Sequence, residues 1–285
     1  MKKQSSELLQ KCVESVKVRA TAAFGEDALD KITIERATLG LFFSGVKIST
    51  GHGGLCFTPI KEMPAAVCCP TSAKAMPYAG KMAGTPIRGF LEDIFDSNPL
   101  KCALGISTLN ALSIAVLEAE GKLPGGPSSC MSYGDAFDEV DVNNYNHAVV
   151  VGAMVPIMRQ LRQSNCNWHV LEMDSRTLKA AEMEHFVPAD QAATVVPDAD
   201  LLVITGVTML NDTLAGLLEL AKPDATIIVT GPTVSMLPDA LFDAGVTCAG
   251  GIIVTDPDMA LDYISEGASG YHMFGKCAER TVAYK

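Results

Sequence analysis

HAVVVGAMVP, His147–Pro156, is the stretch whose reading decides the fold. A polar run, Asp141–Asn146, precedes it, and the apolar residues Ala148–Val151 run into Gly152. Val155, Ile157, Met158 and Leu161 then recur at helical spacing, with Arg159 and Arg162 among the polar positions. The pattern is strand, tight turn, helix. A short β-branched run stopped by glycine marks a strand buried on both faces. Such strands lie in parallel sheets covered by helices, and ligands bind in the turn after the first strand.

The chain downstream repeats the alternation. Strands are expected at Trp168–Met173, Leu201–Thr205, Thr226–Thr230, Val246–Ala249 and Ile252–Val254. Helices are expected near Leu178–His185, Asn211–Ala221, Pro238–Phe242 and Pro257–Ser265. Val187–Asp198 shows no clear period. This rhythm predicts an α/β fold with a doubly wound parallel sheet.

Upstream, Ser5–Thr21 reads as an amphipathic helix with Ser5 or Ser6 as N-cap. Ile32–Ala37 alternates as a half-buried strand, and Leu39–Ile60 reads as an antiparallel hairpin turning at His52-Gly53-Gly54. Met63–Pro86 is an irregular excursion containing Cys68-Cys69-Pro70. Thr85-Pro86 starts a helix by the N-cap and N1 preferences. Pro99–Gly121 is a helix apolar nearly all round, and therefore buried. Gly121–Ser129, GKLPGGPSS, is the best linker, which divides the chain into units 1–125 and 126–285.

At 285 residues and 48% hydrophobic content the chain can build a large core. A net charge of −11 without a basic cluster argues against a nucleic-acid footprint and gives no reason to expect an anionic membrane. The N-terminus lacks the apolar core of a signal peptide, and no run is read as a membrane span. The expectation is a soluble cytoplasmic protein, with a homo-oligomer possible. The nine cysteines are odd in number and show no CxxC, so reduced thiols are expected rather than a disulfide framework or classical zinc ligation.

Strand edges carry the candidate site. Gly152 and Pro156 follow the first strand, and Glu172 and Asp174 the second. Thr205, Thr208 and Asn211 follow the third, and Gly231, Thr233 and Ser235 the fourth. In an open parallel sheet these edges share one rim. The first turn is not GxGxxG, but Glu172 falls twenty residues after Gly152, where dinucleotide-binding folds place an acid for the ribose. Each residue also has a bland reading as a strand end, a cap or a turn, about as frequent as the functional one. Adjacent Cys68 and Cys69 are more often buried hydrophobes than ligands. Glu182 and His185, at i, i+3, read as a surface pair; His52 and His147 are weak candidates.

Several longer stretches carry a resemblance. VVVGAMVPIMRQLR (149–162), VLEMD (170–174), DADLLVITGVTMLNDTL (198–214) and GPTVSMLPDALFDAGVTCAGGIIVTDP (231–257) resemble the "putative heavy-metal chelation" family, a domain of unknown function with a Rossmann-like fold. LGLFFSGVKI (39–48), GLCFTP (54–59) and GISTLNAL (105–112) are similar to the enolase N-terminal-like domain that precedes it there. Where the family commonly has an aromatic residue before the first proline, this chain has Met154-Val155-Pro156.

The resemblance implies a small α+β domain, a Rossmann-like domain, and a ligand site between them. Its occupant would be a divalent or heavy metal ion, or an anionic metal-chelating small molecule. Backbone N–H groups near Gly152 and Gly231 would hold an anionic part, and Glu172 and Asp174 would take hydroxyls or a metal. Thr208 and Asn211 would orient the ligand, with Asn110 reaching across from the first domain. The alternatives are a metal-independent Rossmann-type enzyme acting on a nucleotide-like substrate, and a cysteine-based carrier or sensor of a soft metal.

Overall fold

The structure, a computed structural model, describes residues 6–60, 78–138 and 140–285. Cys68 and Cys69, and most of the Met63–Pro86 excursion, lie outside the described residues. The described chain is a mixed α/β fold around one large sheet.

Helix α1, Glu7–Phe24, starts where Ser6 Oγ accepts the Leu9 N–H. After a short helix α2, Ala28–Lys31, strands β1 (Ile34–Leu39), β2 (Phe43–Ile48) and β3 (Gly53–Phe57) form an antiparallel meander. Helix α3 spans Ile87–Asp93; Pro86 holds its N-cap position, while Thr85 Oγ1 donates back to Lys81 O.

Helix α4, Pro99–Ala119, is capped by Asn98, whose Oδ1 accepts from the Leu100 and Lys101 N–H groups. By length and composition this helix is apolar enough to cross a membrane, contrary to the expectation that no run is; yet 94% of its most apolar window is buried inside the fold. It is the central core helix. Ser107, Thr108 and Ser113 tolerate that burial by donating to carbonyls four residues back. Asn110 does not, and its amide reaches off the helix.

The second half supplies β4 (Ser132–Tyr133), β5 (His147–Val151), β6 (Asn167–Glu172), β7 (Phe186–Pro188), β8 (Leu201–Thr205), β9 (Thr226–Thr230), β10 (Cys248–Val254) and β11 (Ala278–Tyr284). The sheet order is β1-β2-β3-β10-β9-β8-β5-β6-β7, with β11 on β10 and β4 on β11. From β7 to β10 neighbouring strands are parallel. Both faces are covered, as the near-continuous apolar runs require. Val149, Val151, Leu202, Ile204 and Val229 share one core with α1 and α4, while Ala148, Val150, Leu201, Val203 and Ile228 face Ile157, Met158 and Trp168.

Several local expectations change. Leu178–His185 is not an α-helix; it holds a 3-10 segment, Ala180–His185. Strands β7 and β11 were not anticipated. The runs Val246–Ala249 and Ile252–Val254 belong to one strand, β10. The glycines between them serve close approach rather than a turn: a Cβ at Gly250 would stand 2.6 Å from Thr230 Oγ1, and one at Gly251 3.0 Å from Ser235 Cα.

The two halves join at β10. One edge of this strand pairs with β11 along its whole length. Its other edge therefore serves two partners in sequence: Cys248–Gly250 pairs with β9, and Val254 with Gly53 of β3. The loop after β9 fills the gap between them. Its Gly231 N–H donates to Gly250 O, Ser235 Oγ accepts the Ile252 N–H, and Thr233 Oγ1 accepts the Phe57 N–H.

Candidate functional site at the carboxyl ends of the parallel strands

Strand order reverses between β5 and β8: β6 and β7 lie on one side, β9 and β10 on the other. Connections leave in opposite directions at such a point and open a crevice at the strands' carboxyl ends. Gly152 and Thr205 stand on its two lips. Gly152 has φ +93°, and a Cβ there would meet Thr205 Cγ2 at 2.9 Å. Only glycine satisfies both the left-handed backbone and this approach.

The N–H groups of the first turn are already used. Gly152 donates to Leu171 O at 2.8 Å and Met154 to Gly152 O at 2.8 Å. Ala153 donates to Glu172 Oε2 at 3.0 Å. Glu172 Oε1 accepts from Met173 at 2.8 Å and Asp174 at 3.1 Å. The Glu172 carboxylate thus sits in a nest of backbone donors and ties the end of β6 to the turn after β5. Pro156, exposed, lies in the first turn of helix α5, Val155–Leu161. In this arrangement neither Gly152 nor Gly231 offers a spare N–H to an outside anion, because both donate within the sheet.

Removing the carboxylate should expose the nest. Glu172→Ala is expected to lose ~1–2 kcal/mol of stability as three N–H groups lose their acceptor. Formate, small enough to enter, should restore part of the loss. Thermal melts with and without formate check this; equal formate effects on the parent and the variant would sink it.

The other residues divide into two groups. Asp174 turns to Arg176, accepting from its Nε at 2.8 Å and its backbone N–H at 3.1 Å. Asn211 Oδ1 accepts from Thr213 Oγ1 at 2.7 Å and starts the turn into helix Leu214–Leu220. These two lie on the half-buried flanks of the rim. Thr205, Thr208, Thr233 and Asn110 face inward. The Thr208 hydroxyl, buried, donates to Thr205 O at 2.7 Å. Asn110 Nδ2 donates to Leu55 O at 2.8 Å, Thr233 O at 3.1 Å and Pro232 O at 3.2 Å. The reach from the first half to the β9 loop is therefore present, and it meets backbone carbonyls.

Asp212 is a participant that sequence reasoning missed. Its φ is +59°, and its carboxylate accepts the Ser6 N–H at 2.7 Å, joining the α1 cap to the loop after β8. A non-glycine residue in left-handed backbone is where Asn or Asp is tolerated best; the Asn-Asp pair at 211–212 is the signal that was available.

Among the described residues no group of three or more His, Cys, Asp or Glu side chains is placed to hold a metal ion. The rim carboxylates are engaged as above. Burial pushes the Cys12 thiol up to about 12, and raises Cys56, Cys166 and Cys277 as well, so these thiols stay protonated and ligate poorly. Glu182 and His185 are not a surface pair: Glu182 is buried and caps the Lys179 N–H, and His185 stacks on Trp168. His52 joins Thr50 of the hairpin to Glu118 of helix α4.

Two family models described as "Putative heavy-metal chelation" match this chain, one over residues 22–113 and the other over 135–283. The chain belongs to this family. An uncharacterized protein from Methanocaldococcus jannaschii is 28% identical over 196 residues, covering 67% of this chain and 69% of that one. A crystal structure of a family protein of unknown function from Pyrococcus horikoshii superposes with a TM-score of 0.74 at 19% identity, over 98% of this chain and 100% of that one. Another, from Desulfitobacterium hafniense, gives 0.68 at 18% identity, over 97% and 99%. These likenesses establish a shared α/β fold for this heavy-metal chelation family member.

Proposed function

We propose that this protein binds a small anionic, metal-chelating molecule in the crevice between β5 and β8 of a Rossmann-like C-terminal unit (126–285), on the rim whose β9 loop meets the N-terminal unit (1–125). The supporting observation is the reversal of strand order there, with Gly152 packed against Thr205 across the opening. The donor set favours a chelate over a bare ion. The described rim residues do not fit a directly coordinated metal, since Glu172 and Asp174 accept N–H groups and no third ligand converges. A metal held at the rim would bring its donors with it, while the half-buried Thr205 hydroxyl at the opening contacts the ligand's periphery.

The strand order also suits a nucleotide, which gives the second reading and one arm of the test. Thermal shifts should be measured with nickel citrate, citrate, nickel chloride and NAD, on the parent and on Thr205→Val. The chelate is expected to stabilise the parent by several degrees and Thr205→Val by less than half as much. A shift from NAD alone would favour the nucleotide reading. No shift from citrate or its nickel complex, or equal shifts in parent and variant, would reject the proposal.

A further inference from the structure

At the opposite edge of the parallel sheet, two histidines come together from neighbouring strands. Val149 of β5 pairs with His169 of β6, and His147 lies two residues before Val149. Side chains two apart share a face of the sheet, so both imidazoles emerge on the same side. His147 Nε2 lies 2.9 Å from His169 Nδ1, with ring centroids 5.1 Å apart. Both residues are half-buried, leaving one side of the pair towards water. One ring donates the proton between them and the other accepts it.

The surroundings are committed elsewhere. Asp200 takes the backbone N–H groups of Asn146 and His147. His185 Nδ1 donates to Trp168 O at 3.1 Å, its ring stacks on Trp168 at 3.8 Å, and its Nε2 stands 3.7 Å from Glu184 Oε1. Among the described residues no other side chain bonds to the two facing nitrogens, so each presents its lone pair or its proton to the other.

We propose that His147 and His169 form a two-imidazole clamp for a borderline-soft divalent ion such as Ni²⁺, Cu²⁺ or Zn²⁺, with water completing the coordination. Imidazole nitrogen suits these ions. At metal–nitrogen distances of about 2.0–2.1 Å, ligand angles between a right angle and tetrahedral place two nitrogens roughly 2.9–3.4 Å apart. The observed separation lies at the near end of that range, and an ion enters once each ring turns its lone pair roughly 35–45° off the line between the two nitrogens. The proton between them then moves through solvent to the far nitrogen of the donor ring. Both rings stay neutral and both facing lone pairs go to the metal, so the charges balance without loss of a proton.

Burial, then the neighbouring His147 and His185, lower the His169 pKa below its ordinary 6.5 and keep the ring neutral near pH 7. A neutral ring is the ligating form.

The clamp is independent of the crevice and is tested separately. Calorimetry with nickel chloride on the whole chain at pH 7.5 should show a site whose affinity falls at least tenfold in His147→Gln or His169→Gln and which vanishes in the double variant. The same site should weaken at least tenfold at pH 5.5 and persist in Cys130→Ser and Thr205→Val. With Cu²⁺, electron paramagnetic resonance should show coupling to two imidazole nitrogens. His169→Asn, able to hydrogen-bond, guards against loss of fold as the cause; at pH 7.5 it should melt like the parent and still bind nickel at least tenfold more weakly. Unchanged nickel binding in the double variant, or no binding by the parent below millimolar concentrations, would overturn the proposal.

Discussion

Gly54→Ala is expected to cost the protein ~3 kcal/mol or more, because overpacking against an atom that cannot move exceeds the usual 1–3 kcal/mol range of such substitutions. A Cβ at this position would stand 2.0 Å from Ser107 O, 2.5 Å from Ala111 N and 3.1 Å from Ala111 Cα. All three belong to the backbone of α4, the buried central helix, so no rotamer change relieves the contact. The glycine lets β3 lie directly on α4, and with β3 goes the seam to β10. Urea unfolding should show the midpoint displaced far below the parent's, or no cooperative transition at all. Gly216→Ala is the control: it lies in exposed helix with nothing within 4 Å of a new Cβ, and helix propensity predicts a gain of up to ~1 kcal/mol. Equal midpoints for Gly54→Ala and the parent would mean that α4 and β3 are not packed as described.

Asn110→Ala should cost about 2–4 kcal/mol, combining a cavity with the loss of the donor to three carbonyls. The residue is fully buried, and so are Leu55 and Thr233, two of the three residues whose carbonyls it serves. The same amide leaves its Oδ1 buried without a partner among the described residues, so the position demands donors rather than an acceptor. Asn110→Asp tests that demand. At pH 8 it sets a carboxylate against carbonyl oxygens, and it should be the less stable of the two variants. Acidification should recover part of the loss, because a protonated acid regains one O–H donor; burial raises this group's folded pKa, so stability falls as pH rises from the unfolded carboxylate range up through the raised folded value. Melting temperatures at pH 5 and pH 8 decide it. A loss for Asn110→Ala below ~0.5 kcal/mol, the scale of an unremarkable surface change, would show that the seam does not depend on this amide.

How much of the fold the sequence revealed can be traced through particular residues. Val149–Val151, Leu201–Thr205 and Thr226–Thr230 were legible because strands buried on both faces are continuous apolar runs. Phe186–Pro188 was not: three residues ending in proline carry no period, and parallel pairing with Val170–Glu172 is what makes them a strand. Gly250 and Gly251 read locally as a break, yet they mark where Thr230 and Ser235 approach the strand. At the candidate site, proximity to the rim was legible from strand edges. The partners were not, since the Glu172 carboxylate could equally face solvent until the turn after β5 is placed beside it.

The sequence by itself determined that strands and helices alternate, that one rim gathers Gly152, Thr205 and Gly231, and that Pro99–Gly121 holds a core helix. Those features rest on periods of two and 3.6 residues and on local backbone preferences, which a linear pattern records. Only the tertiary structure decided that β3 continues the parallel sheet through β10, that Asn110 clasps the loop after β9, and that His147 meets His169. Each of these joins residues 22 to 201 positions apart. Contacts at such separations are chosen by complementary shape and by the need to satisfy buried polar groups, and neither leaves a spacing in the chain.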